Sequence, residues 1–139
     1  MNENQLIEKQ YDKRILILDD EIDIRKTLVE MFETIGYSCD GAADGSEGIE
    51  LLSKNDYWLI ISDIMMPEIS GPEFFRKIQN KYKYDYFIFL TGYDVPKNEI
   101  NTVKKADLLL YKPITIDNFL KSINKLTGTP VNRFFKNCS

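Results

Sequence analysis

The sequence predicts an α/β fold: a doubly wound, five-stranded parallel sheet with helices on both faces. Three observations predict it. Four short apolar runs are almost unbroken, segments of helical period alternate with them, and a polar residue closes each run. Strands covered on both faces read as continuous apolar runs, whereas a sheet with one wet face alternates. Alternation of such strands with helices is the pattern of βαβ units.

The first run is Arg14-Ile15-Leu16-Ile17-Leu18, closed by Asp19 and Asp20. A helix follows, with Ile24, Leu28, Met31, Phe32 and Ile35 at helical spacing. The next strand has only the weak segment Tyr37 to Asp40 to draw on, which suits an edge position. Asp44 with Glu47 has the spacing of a capping box and starts the second helix, marked by Ile49 and Leu52. Trp58-Leu59-Ile60-Ile61-Ser62 is the third strand, closed by Asp63. Ser70 with Glu73 repeats the capping spacing, Pro72 suits a first helical turn, and Phe74, Ile78 and Tyr82 mark the third helix. Tyr86-Phe87-Ile88-Phe89-Leu90 closes on Thr91, and a weaker helix is marked by Ile100 and Val103. Leu108-Leu109-Leu110-Tyr111 closes on Lys112, and Thr115 caps a last helix carrying Ile116, Phe119, Leu120, Ile123 and Leu126. Right-handed crossovers then give the strand order 2-1-3-4-5, with the first and third strands neighbours at the switch point.

Composition narrows the function. With 139 residues the chain has the size of one ordinary domain. A formal net charge of -4 argues against direct nucleic-acid binding, which normally shows as a basic domain. Cys39 and Cys138 lie far apart in no metal-binding spacing, so neither a disulfide framework nor a zinc site is expected, and a reducing cytoplasmic location fits. Residues 1–13 lack the apolar core of a signal peptide, and no stretch approaches the roughly 20 apolar residues of a membrane span. Histidine is absent, which removes imidazole-based triads, histidine-ligated zinc and a phosphohistidine-carrier role.

In a parallel sheet all the closing residues gather at the carboxyl edge, where such folds place their sites. Neighbouring strands are roughly 5 Å apart, so Asp19, Asp20 and Asp63 would repel one another unless a cation intervened. Hard oxygen donors favour Mg²⁺ or Mn²⁺. Lys112 adds a positive charge and Thr91 a hydroxyl, and this is the equipment of phosphoryl transfer, which depends on positioning and charge neutralisation. Asp63, alone at its strand end, is the best nucleophile, and an ionised carboxylate needs no general base.

Ile15-Leu16-Ile17-Leu18-Asp19-Asp20-Glu21, Ser62-Asp63-Ile64-Met65-Met66-Pro67 with Ser70-Gly71, Leu90-Thr91-Gly92 and Tyr111-Lys112-Pro113, in that order and at those gaps, resemble a response-regulator receiver domain of two-component signalling. The resemblance implies a flavodoxin-like fold over residues 13–127, with 1–12 an N-terminal extension and 128–139 a tail in which Val131, Phe134 and Phe135 are available for docking. It implies that Asp63 is the phosphoacceptor, Asp20 a direct Mg²⁺ ligand, Asp19 its water-mediated partner, and the Met65 carbonyl a further ligand. Thr91 resembles the switch hydroxyl and Lys112 the phosphate-binding lysine, with a cis bond before Pro113. A histidine kinase or phosphotransfer protein would be the donor. A downstream protein or a phosphorylation-dependent homodimer would be the recipient, through the fourth helix, fifth strand and fifth helix, with no part for nucleic acid or membrane insertion. Such a module is not an enzyme beyond its own phosphorylation and hydrolysis.

The chain departs from the family where the usual switch aromatic is Leu109. Tyr111 and Tyr93 are the candidates to replace it, the alternative being a weakly responding output face. The resemblance also implies that Met65 and Tyr93 flank the acyl phosphate, where their bulk would restrict attacking water and give a long-lived phosphoprotein. Two other readings compete. A haloacid-dehalogenase-type phosphatase wants a second Asp two residues beyond the nucleophile, where this chain has Met65. A degenerate receiver acting without phosphate is opposed by the intact Asp19, Asp20, Asp63, Thr91 and Lys112 set.

Overall fold

The computed structural model describes residues 13–128. In chain order it contains β1 (Arg14–Leu18), α1 (Ile22–Thr34), β2 (Ser38–Ala42), α2 (Gly45–Lys54), β3 (Tyr57–Ser62), α3 (Gly71–Ile78), β4 (Tyr84–Thr91), α4 (Ile100–Val103), β5 (Leu108–Tyr111) and α5 (Ile116–Thr127). The strands form one parallel sheet in the order β2-β1-β3-β4-β5, as the sequence predicts.

Successive residues of a strand face opposite sides of the sheet, and here both sides are apolar. Ile15, Ile17, Leu59, Ile61, Ile88 and Leu90 pack with Met31 and Phe32 of α1 and with Phe119, Leu120 and Ile123 of α5. Leu16, Leu18, Ile60, Phe87 and Phe89 pack on the other side with Leu52 of α2, Phe74, Phe75 and Ile78 of α3, and Val103 of α4. Burying each such side chain contributes roughly 1.5–3 kcal/mol. The first layer contains Tyr37 stacked on Trp58 at 5.3 Å; in the second, the Phe75 ring meets Phe87 edge-on at 4.7 Å. Cys39 is buried within the first layer, and burial pushes its thiol well above the ordinary range, so it packs as a small apolar residue.

The predicted caps form. Asp44 accepts from the Glu47 amide at 2.9 Å while the Glu47 carboxylate accepts from the Ala43 amide at 3.0 Å, a complete capping box. Ser70 caps α3 and Thr115 caps α5.

Several boundaries differ from the sequence expectation. The edge strand runs over Ser38–Ala42 rather than Tyr37 to Asp40, because Gly41 and Ala42 stay in register with Ile17 and Leu18, while the Tyr37 amide closes on the Phe32 carbonyl of α1. Tyr82 is not part of α3, which stops at Ile78. It lies in the following turn, partly buried against the second layer. The fourth helix is a single turn led by a 3₁₀ segment, Lys97–Glu99, and Arg76 of α3 ties it down by donating to Glu99 at 2.7 Å and to Thr102 at 3.0 Å. The expected docking of Val131, Phe134 and Phe135, the extension 1–12 and Cys138 all lie outside the described residues. Among the described residues no helix is long and apolar enough to cross a membrane.

Candidate functional site

Parallel pairing puts the ends of β1 and β3 side by side, with Leu18 opposite Ser62. The chain then continues in step. The Asp63 amide donates to the Leu18 carbonyl at 3.0 Å, and the Asp19 amide to the Ala42 carbonyl at 3.1 Å. Asp19, Asp20 and Asp63 are thereby gathered so that one oxygen from each lies within 4.8 Å of the others. Asp19 and Asp63 are buried and Asp20 is exposed.

Lys112 follows β5 and is delivered by its own amide, which donates to the Thr91 carbonyl at 2.7 Å. Its Nζ reaches across the sheet edge to Asp19 Oδ2 at 2.8 Å and Asp63 Oδ2 at 3.0 Å. The Lys112–Pro113 peptide bond is cis, as the resemblance implies. Burial alone would lower the Lys112 pKa, but the hydrogen bonds and charges of Asp19 and Asp63 outweigh it and raise the value above the ordinary one.

The remaining oxygens are also held. Asp63 Oδ1 accepts from the Ile64 amide at 2.7 Å and the Met65 amide at 3.4 Å, and Asp19 Oδ1 accepts from the Glu21 amide at 3.0 Å. One lysine still faces three carboxylates. Two charges within 4.8 Å of each other repel by at least about 3.5 kcal/mol at an effective dielectric of about 20. The residues therefore fit a cation: the donors are hard oxygens, their charge exceeds what Lys112 neutralises, and the exposed Asp20 leaves a way in. The cluster of Asp19, Asp20 and Asp63 can hold a metal ion.

The modulating positions are less uniform. Thr91 is buried at the end of β4, and its hydroxyl accepts from the Tyr93 amide at 3.3 Å rather than bonding a carboxylate. Tyr93 and Met65 are exposed. Leu109 is half-buried against the second apolar layer, and Tyr111 is exposed in register with Thr91.

Three supporting residues were not legible as such in the sequence. The Ser62 hydroxyl, fully buried, donates to the Asp63 carbonyl at 2.8 Å. Gly71 approaches that same carbonyl so closely that a Cβ there would sit 2.0 Å from the oxygen. Arg25 of α1 donates to the Asp19 carbonyl. A basic residue in the first turn of the helix that follows a strand-end acid is the signal that points to the last of these.

A doubly wound sheet carrying an acid pocket and one lysine at its switch point is the architecture of a phosphoaccepting signalling module. The chain belongs to the response regulator receiver domain family, whose model matches residues 15–124. It is 30% identical over 115 residues to the response regulator receiver protein CpdR of Brucella abortus, covering 82% of this chain and 96% of that protein. To the response regulator SaeR of Staphylococcus aureus it is 34% identical over 127 residues, 86% of this chain and 55% of that one. The chain thus spans about half the length of SaeR, and 51% of the regulator DltR of Streptococcus agalactiae. The solved structure of TrrA from Thermotoga maritima, in complex with Mg²⁺–BeF, superposes with a TM-score of 0.72 at 36% identity, covering 82% of this chain and 98% of that one. TrrA has also been solved in complex with the histidine kinase ThkA, with a TM-score of 0.71 at 36% identity, over 83% of this chain and 98% of that one.

Proposed function

We propose that residues 13–127 form a cytoplasmic receiver unit that takes a phosphoryl group onto Asp63 from the phosphohistidine of a histidine kinase or phosphotransfer protein. The observation that carries this reading is the Lys112 ammonium bonded to both Asp19 and Asp63, residues 93 and 49 positions away. A lysine in that place has a ready second role as partner for phosphoryl oxygens. The complexes of TrrA with Mg²⁺–BeF and with a histidine kinase support the same donor and ion for this chain.

In the transfer, one Asp63 oxygen bonds to phosphorus as the donor's N–P bond breaks. The imidazole keeps the electron pair. Asp63 is held for this by the Ile64 and Met65 amides at one oxygen, and its carbonyl is fixed by Ser62. Asp19, Asp20, Asp63 and the Met65 carbonyl would hold Mg²⁺, with Mn²⁺ as a substitute, and the bound ion would neutralise charge on the transferring oxygens. Lys112 swings from the carboxylates toward the new phosphoryl group. The Thr91 hydroxyl keeps its own hydrogen while accepting from Tyr93, and turns that hydrogen to a phosphoryl oxygen, drawing in the loop after β4. Tyr111 or Tyr93, in place of an aromatic at Leu109, reports the change on the α4, β5 and α5 face to a downstream protein or a second copy of the chain.

Incubation with a small-molecule phosphodonor and Mg²⁺, followed by intact mass measurement, tests the assignment. One phosphoryl adduct is expected on the wild type and none on Asp63→Asn. Equal adduct on the variant would remove Asp63 from this role.

A further inference from the structure

Arg25 is half-buried in the first turns of α1, and its Nη1 donates to the backbone carbonyl of Asp19 at 2.8 Å. Its stem reaches there across Gly41 of the edge strand β2. A Cβ on Gly41 would stand 3.0 Å from Arg25 Cγ, 3.1 Å from Cδ and 3.4 Å from Val29 Cγ2, so a larger residue at 41 would press the Arg25 stem aside by a few tenths of an ångström. Asp19 is otherwise secured at its amide by Ala42, at Oδ1 by Glu21 and at Oδ2 by Lys112. Asp20 is exposed, and its bearing depends on the peptide unit that joins it to Asp19. That unit is planar. A grip on its carbonyl therefore fixes the plane in which the Asp20 nitrogen and Cα lie, the base from which its side chain departs.

We infer that Arg25 is a positioning residue: by holding the Asp19 carbonyl it sets the peptide plane that aims the Asp20 carboxylate at the cation, and Gly41 belongs to the same device by admitting the Arg25 stem. This rests on the reading that Asp19, Asp20 and Asp63 hold a divalent ion. The alternative view of Arg25, as one more positive charge near the pocket, predicts the opposite sign. Removing a guanidinium from beside a cation site relieves repulsion and tightens binding. Removing a group that orients a ligand loosens it, typically by tenfold or more.

Mn²⁺ binding, followed by electron paramagnetic resonance or calorimetry, separates the two. The chains to compare are wild type, Arg25→Met, Arg25→Lys, Gly41→Ala, the Arg25→Met/Gly41→Ala double variant and Asp20→Asn. Methionine keeps most of the stem and loses the donor, so Arg25→Met is expected to bind Mn²⁺ about tenfold more weakly. Arg25→Lys, which restores a donor and the charge, should recover part of that loss. Gly41→Ala should weaken binding in the wild-type background and add nothing to Arg25→Met. Equal or tighter binding by Arg25→Met, or a Gly41→Ala effect that persists without the guanidinium, overturns the inference. If Arg25→Met fails to fold, Gly41→Ala with Arg25→Lys decides the point on the same criterion of weakened binding. A wild type that takes up no Mn²⁺, or an Asp20→Asn chain that binds as well as wild type, overturns the underlying cation reading instead.

Discussion

Gly71 offers the sharpest test of how the phosphoacceptor is held. A Cβ at this position would lie 2.0 Å from the Asp63 carbonyl oxygen and 3.0 Å from both the Asp63 carbonyl carbon and Ile64 Cα, all of them backbone atoms. The first of these gaps must open to at least 3.0 Å, the shortest separation real Cβ atoms tolerate. Gly71→Ala therefore forces β3 and the start of α3 apart by about 1 Å, a misplacement that can cost roughly 100-fold in rate at a reacting group. The same shift strains the Gly71 amide to Ile64 carbonyl bond and the Ser62 hydroxyl to Asp63 carbonyl bond, each 2.8 Å long. Overpacking of about 1–3 kcal/mol with about 1 kcal/mol for a lost hydrogen bond gives an expected destabilisation of about 2–4 kcal/mol. In a domain of this size that is a fall in Tm of roughly 10 °C. Thermal melts by circular dichroism and the rate of adduct formation from a small-molecule phosphodonor measure the two effects. Gly92→Ala is the melting control, since its Cβ would meet only the Lys112 side chain, Cδ at 3.9 Å and Cβ at 4.0 Å, both ordinary contacts. A Gly71→Ala chain that melts and phosphorylates like the wild type would refute the reasoning.

Lys112 has a raised pKa, so its proton stabilises the fold fully below the ordinary lysine value of about 10.4, and that contribution disappears as pH rises through the folded value. Urea titrations should show an extra loss of wild-type stability above about pH 10 that is missing in Lys112→Met; identical alkaline profiles would contradict the pairing. At neutral pH Lys112→Met should be less stable by about 3 kcal/mol, since it leaves buried carboxylates without their cation. Met65 and Tyr93 are expected to screen the acyl phosphate from water, giving a long-lived phosphoprotein whose loss of phosphate quickens in Met65→Asn and Tyr93→Glu. Rapid loss, unaltered in both variants, would remove that role. Asp44→Ala should cost about 1 kcal/mol through the broken α2 cap and leave phosphoryl acceptance intact, a cost readable in the same melts.

The sheet was legible because burial on both faces leaves β1, β3 and the second half of β4 no choice but apolar residues, while β5, only partly buried, is apolar through its three leucines. The expectation for the edge strand begins one residue early and stops two short, because Gly41 and Ala42 carry no strand signature; pairing with Ile17 and Leu18 holds them extended. Tyr82 kept a helical spacing from Ile78 although the chain had already turned, since a side chain can join a core from a turn as well as from a helix. In the site, Asp19, Asp20, Asp63 and Lys112 could be read from their positions at strand ends. What could not be read is that Lys112 binds Asp19 as closely as Asp63, or that Arg25, Ser62 and Gly71 act on main-chain carbonyls. Main-chain acceptors carry no residue-type signal, so their partners emerge only once the backbone is folded.

A helix needs several turns before its own hydrogen bonds sustain it, and Ile100–Val103 has one. Its persistence is therefore borrowed from two anchors, the buried Val103 and the clasp of Arg76 on Glu99 and Thr102. A segment so short has little rigid body to rotate and much to gain from melting. Local opening of this turn is therefore governed by the clasp, which must release before the backbone hydrogen bonds of Ile100–Val103 give way.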